Sequence, residues 1–140
     1  KKLLAPNINY YAADSYVRQY GLPKNTQEYA QHWWALPSAD KRRIPFVKMV
    51  LQHITEDRIV YQSNHFPDIT GAVVEGMGIG AIAAHQAMKH QGLHKLEIDI
   101  DQTGEGLWFV YHKDLKNSAR IQALYSFLIK SMEEESQKWA

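Results

Sequence analysis

The chain of 140 residues contains no cysteine. That excludes a disulfide framework, a thiolate metal site and a cysteine nucleophile, and it suits a reducing compartment. No apolar stretch approaches the ~18 residues of a membrane span. The basic start KKLLAPNINYY is too short and too polar for a secretory signal. An excess of one charge is missing as well: Lys and Arg number 16 against 15 Asp and Glu, so the chain itself has no electrostatic case for binding nucleic acid. The densest runs, Lys41–Arg43 and Glu133–Glu135, read as solvated surface. No serine sits in a GxSxG elbow, and no repeat or low-complexity segment appears. At this length one domain or one large subdomain with a real core is expected.

What is present centres on Arg58 to Ala84, RIVYQSNHFPDITGAVVEGMGIGAIAA. Ile59, Val60 and Tyr61 suit a strand. Ser63 and Asn64 offer side-chain oxygens for capping, and Pro67 is tolerated in a first helical turn, where no amide donor is needed. Phe66, Ile69, Val73 and Val74 recur at helical spacing. Gly76 then stops the helix, and Ile79 to Ala84 form a second short apolar run. A helix that opens from a strand end presents free amides and a positive dipole end, a receptor for a small anion. The loop Ser63-Asn64-His65-Phe66 lies at that junction. Its residues serve equally well for ordinary capping or for ligand contact, and ligands of open α/β sheets bind at the carboxyl ends of strands.

Along the rest of the chain, Asn7–Ala12 reads as a strand, followed by a helix capped by Asp14 or Ser15 and ended by Gly21. Asn25 or Thr26 caps a second helix from Gln27 to His32. Trp33–Leu36 and Ile44–Leu51 read as strands. His85–Gln91 forms one or two helical turns ended by Gly92. Leu96, Ile98 and Ile100 alternate with acids as a half-exposed strand. Gln102–Gly106 is a turn, and Leu107–His112 is an apolar strand of the buried kind. Asn117 or Ser118 caps the longest helix, with Ile121, Leu124, Phe127, Leu128 and Met132 on one face. Strands alternating with short helices give an α/β class with a mixed sheet.

Other motifs lose to plainer readings. Gly76–Ala81 matches GxGxxA, but the dinucleotide mechanism needs a strand before the glycines and a helix after them. Here the order is reversed, so a tight helix-to-strand turn is expected, with close approach of a ligand to the backbone as the alternative use of the glycines. His90 and His94 are four apart, yet Gly92 interrupts them and no acid completes a metal set. Asp99 and Asp101 share the polar face of a strand. Trp33-Trp34 and Trp108-Phe109 are core aromatics rather than stacking platforms. No catalytic residue, metal site or cofactor is expected, and the chain is not read as an enzyme.

The ordered motifs resemble the C-terminal effector-binding region of LysR-type transcriptional regulators. The likeness is carried by Tyr11–Tyr16 with Tyr20-Gly21-Leu22-Pro23, by Thr26–His32, by Ile59–Asn64 with Ala72–Ala84, and by Leu107–Asp114 with Ser118–Ile121. It covers nearly the whole chain. Asp14-Ser15 stands where Ser-Pro is usual, and Ala84-His85 replaces a frequent Leu-Pro. The resemblance implies a fold like the type 2 periplasmic binding proteins, with two α/β lobes, a small effector, anionic by the chemistry of the loop, in the cleft between them, and homo-oligomers. Residues 1–103 would be lobe two and 104–140 the return to lobe one. The rest of that lobe and the winged helix-turn-helix that contacts DNA would lie outside this sequence, whose first residue is Lys. Ser63, Asn64, His65 and Phe66, then Gly78 and Ile79, are the expected effector contacts. A solute-binding module or a dimerisation domain without ligand is the alternative.

Overall fold

In the computed structural model, which describes residues 1–4, 7–100 and 107–139, the chain divides into two units, Asn7–Thr103 and Lys1–Pro6 with Gly104–Ala140. Strand β1 (Lys2–Leu4) belongs to the smaller unit. The larger unit holds β2 (Ile8–Ala13), β3 (Trp34–Pro37), β4 (Ile59–Ser63), β5 (Gly80–Ala83) and β6 (Leu93–Lys95). β3 pairs with β4 in parallel, while β2 lies between β5 and β6 and runs antiparallel to both. The two sets join where Ile79 bridges Trp34 in parallel: Ile79 N donates to Trp33 O and Ala35 N donates to Ile79 O, each at 2.8 Å. The order across the sheet is therefore β4-β3-β5-β2-β6.

Alternation of side chains puts a core on each face of this sheet. Tyr10, Ala12, Trp34, Leu36 and Ala81 point to one face, where Tyr16 of α1 (Asp14–Tyr20), Tyr29 of a 3-10 turn and Phe46, Val47 and Val50 of α2 (Pro45–Leu51) cover them. Tyr11, Ala35 and Ile82 point to the other, under Ile69, Ala72 and Val73 of α3 (Phe66–Val74) and Ala87 of α4 (Ala84–Ala87). Trp34 anchors the first face. Its ring meets Tyr10 and Tyr29 edge-on at 5.7 and 5.1 Å, and its indole N–H donates to Tyr29 O at 2.9 Å. The Tyr10 hydroxyl donates to Phe46 O at 2.7 Å, so both buried aromatics are satisfied.

The glycine run is a packing device. Gly76 takes φ +81° to turn the chain out of α3. At Gly80 a β-carbon would lie 2.6 Å from a Val73 methyl and 3.1 Å from Ala35 O, so the missing side chain is what lets α3 lie close on the sheet.

Two readings of the larger unit need correction. Ile44–Leu51 is helix α2 rather than a strand: Pro45 occupies its first turn, and Phe46, Val47 and Val50 bury one helical face while Lys48 is exposed. The alternation of the segment suits a strand, and packing of one helical face overrides it. The ladder strand β6 is Leu93–Lys95, one step before the alternating run Leu96–Ile100. That run keeps its expected alternation of burial, and Leu96 N donates to Tyr10 O of β2 at 2.8 Å, but no residue of the run belongs to a strand. The caps also differ in detail. Asn25 accepts from Glu28 N at 3.1 Å as expected, but α1 starts from Ala13 with no side-chain cap, and Asp14 instead binds Arg18 and His94.

In the smaller unit β1 pairs antiparallel with β7 (Leu107–Trp108), and Lys1 and Phe109 exchange backbone hydrogen bonds. Helix α5 (Ala119–Trp139) packs Tyr125 on the Phe109 ring, at 5.7 Å between centroids. Leu107–His112 is not a buried strand: pairing covers two residues, and Val110 is 84% exposed. On α5, Ile121, Tyr125, Leu128 and Met132 share the half-buried face. Leu124 and Phe127 stand about 60° and 120° away around the helix and are exposed, Phe127 by 65%. The expected turn at Gln102–Gly106 and the Asp101 carboxylate lie outside the described residues.

Candidate functional site

The carboxyl ends of β3 and β4 lie side by side, Pro37 opposite Ser63. Ser38 N donates to Ser63 O at 3.0 Å and ties the two departing loops together. The Ser63 hydroxyl then organises the entrance of α3: it accepts from His65 N at 3.1 Å and donates to Asp68 Oδ2 at 2.9 Å. Asn64 and His65 are exposed at the lip, while Phe66 is half-buried, with its ring 6.4 Å from that of Phe46. These four residues form one continuous surface at a strand-to-helix junction.

The helix end differs from an open anion cradle. Pro67 has no amide to offer, and Asp68 N already donates to His65 O at 3.2 Å. The Asp68 carboxylate sits in the first turn, where it complements the positive end of the helix. Beside the loop, Lys41 comes from the 3-10 turn after β3. Its ammonium donates to Asn64 O and stands 5.0 Å above the centre of the Phe66 ring. The next residue, Arg42, is held by Glu56 and by Gln62 Oε1 at 3.1 Å, which fixes the turn carrying Lys41. By sequence alone Lys41, in the run Lys41–Arg43, reads as solvated surface. No local signal connects it with Asn64, 23 residues away, because the contact exists only through the pairing of β3 with β4.

Gly78 and Ile79 are placed elsewhere. Ile79 pairs with Trp34, the first residue of β3, whereas Ser63 pairs with Pro37, the last. Three strand residues, roughly 10 Å, separate those positions. Ile79 is fully buried, and a β-carbon on Gly78 would meet Trp33 O at 2.9 Å.

Two further polar clusters lie in this unit. The Tyr16 hydroxyl accepts from Trp33 N at 3.0 Å and is hydrogen-bonded to His32 Nδ1 at 2.7 Å. Burial pushes Tyr16 up to about 12 and His32 down. On the surface, hydrogen bonds from His94 and then Arg18 hold Asp14 below the usual carboxylate range. Among the described residues no group of three His, Cys, Asp or Glu side chains is arranged to hold a metal ion, and no helix is long and apolar enough to cross a membrane.

A mixed sheet with one antiparallel strand, helices on both faces and a polar loop at the strand ends defines an α/β protein of the periplasmic-binding-protein-like type. Residues 8–133 match the family described as the LysR substrate binding domain, and the chain belongs to that family. Solved structures agree on the fold. The regulatory domain of CrgA, a LysR-type transcriptional regulator from Neisseria meningitidis, superposes with a TM-score of 0.66 at 15% identity, covering 94% of this chain and 67% of that one. The regulatory domain of AphB from Vibrio vulnificus gives 0.65 at 15% identity, over 94% and 68% of the two chains. An amino acid transporter substrate-binding protein from Streptococcus pneumoniae, bound to L-arginine, gives 0.53 at 12% identity, over 99% and 56%. The chain spans 46% of the length of the CrgA chain in a second structure. A comparison with curated proteins finds no match.

Proposed function

We propose that this chain is the ligand-sensing part of a LysR-type DNA-binding transcriptional regulator and that it is not an enzyme. A small effector binds in a cleft between two lobes, with Ser63, Asn64, His65 and Phe66 as the contacts from this one. Residues up to about 103 act as lobe two, and the segment from 104 onward returns to lobe one. The observation that carries the reading is the grouping of Ser63–Phe66 at the carboxyl end of β4, where α/β sheets bind ligands. Family membership supports the regulatory role. In the whole regulator, effector binding shifts the arrangement of DNA-binding domains through its different affinity for two states. DNA is contacted through a separate domain, the regulator is a homo-oligomer, and it acts in the cytoplasm.

The effector carries a negative charge. A solute-binding module remains the second reading, supported by the match to the transporter protein over 99% of this chain. The test is a thermal-shift screen of small metabolites against the 140-residue chain and against the same chain with the segments that precede it in its gene. A hit that stabilises the longer protein, and loses its effect in Phe66→Ala, is expected. Hits indifferent to Phe66→Ala would overturn the site, and a secretion signal upstream in place of a helix-turn-helix would overturn the regulator.

A further inference from the structure

The anionic group of an effector needs a cationic partner, and α3 supplies a poor one. Its first turn already contains the Asp68 carboxylate, held by the Ser63 hydroxyl at 2.9 Å, and Pro67 removes one amide. A second anion at that helix end would be repelled by Asp68 and would find few free donors. The cation beside the loop is Lys41. Its ammonium lies against Asn64 O and over the Phe66 ring, so the charge is already positioned on the two residues expected to touch the ligand. A lysine ammonium has three donors, and the Asn64 carbonyl uses one of them.

We propose that Lys41 is the specificity-determining residue of the strand-end site, receiving the carboxylate of a small monoanionic effector whose apolar part packs on Phe66. This rests on the reading of Ser63–Phe66 as a ligand site and adds the residue that sets the sign and number of its charges. One ammonium faces one carboxylate group, and Asp68 opposes any second negative charge nearby. A monocarboxylate therefore fits and a dicarboxylate does not. The cation is held ready at the site, because the Arg42 contacts to Glu56 and Gln62 fix the turn that carries it. The cost of ordering the Lys41 side chain is thus met before ligand arrives.

The experiment titrates the full 140-residue chain with three probes of matched shape: 3-phenylpropionate, 3-phenylpropylamine and 3-phenylpropanol. Amide chemical shifts of Asn64, His65 and Phe66 are followed by NMR, which detects weak binding. In the wild type the anion should bind about fivefold or more tightly than the amine, the scale of one partly exposed charge-assisted contact. Lys41→Met, which keeps the apolar stem, should abolish that preference, and Lys41→Arg should restore most of it. A thermal melt of each variant separates loss of charge from loss of fold. If the alcohol and the anion bind alike in both wild type and Lys41→Met, the strand-end site survives and the role of Lys41 is overturned. Equal or tighter binding of the amine in the wild type also overturns it. If no probe moves any of the three amides, either in this chain or in the same chain with the segments that precede it in its gene, both this proposal and the site itself fall.

Discussion

Replacing Gly80 by alanine should destabilise the larger unit by about 2 kcal/mol, within the range for overpacking a well-filled interior. The added β-carbon would stand 2.6 Å from a Val73 methyl and 3.1 Å from both an Ile69 methyl and Ala35 O. Ordinary carbon contacts are ~3.5–4.0 Å, so Val73 has to retreat by about 1 Å. The Ala35 carbonyl is backbone in β3 and cannot rotate away, which forces α3 outward instead. Gly71 is the internal control. It lies in the same helix, and a β-carbon added there would meet nothing within 4 Å, so Gly71→Ala should stabilise by about 0.5–1 kcal/mol through helix propensity alone. Urea unfolding followed by far-UV circular dichroism reads both. For a chain of this size the Gly80 change should lower Tm by roughly 8 °C. A neutral Gly80→Ala, or the same sign for both variants, would refute the claim that the glycine run exists to bring α3 onto the sheet.

Stability should also depend on pH through His32. Burial lowers its pKa in the folded state, so the unfolded chain binds the proton more readily; stability is fully present above the ordinary value of 6.5 and declines as pH falls below it. Denaturant melts between pH 7 and 5 should show this slope, and His32→Gln, which leaves Tyr16 a hydrogen-bonding neighbour, should flatten it. Retention of the full slope in that variant would exclude His32 as its source. Asn25→Ala should cost about 1 kcal/mol by removing the side-chain cap on Glu28 N. A loss of unfolding free energy below about 0.2 kcal/mol, taken from the urea midpoint and slope, would show that the 3-10 turn does not need it.

Much of the fold is legible in local pattern. Strand β2, helix α3 and the Gly76 turn follow from strand-forming residues, helical spacing and the one residue type that accepts a positive φ, all properties of neighbouring residues. The ordered motifs likewise carried the family, which the match over residues 8–133 shows. The failures have a common cause. Ile44–Leu51 is rich in residues that suit either a strand or a buried helix face, and only its packing of Phe46, Val47 and Val50 on the sheet chooses the helix. In Leu107–His112, hydrophobicity suggested burial, but pairing with β1 covers two residues and leaves Val110 in solvent.

The strand-to-helix junction at Ser63–Phe66 was determined by sequence alone, since its strand, loop and helix are consecutive. What surrounds it was decided by tertiary structure. Strand pairing brought Lys41 to Asn64 and Phe66 across 23 residues, and the parallel bridge of Ile79 to Trp34 set the glycine run at the opposite end of β3. Local chemistry reports which groups a residue can offer; the register of strands distant in sequence determines which of those groups meet.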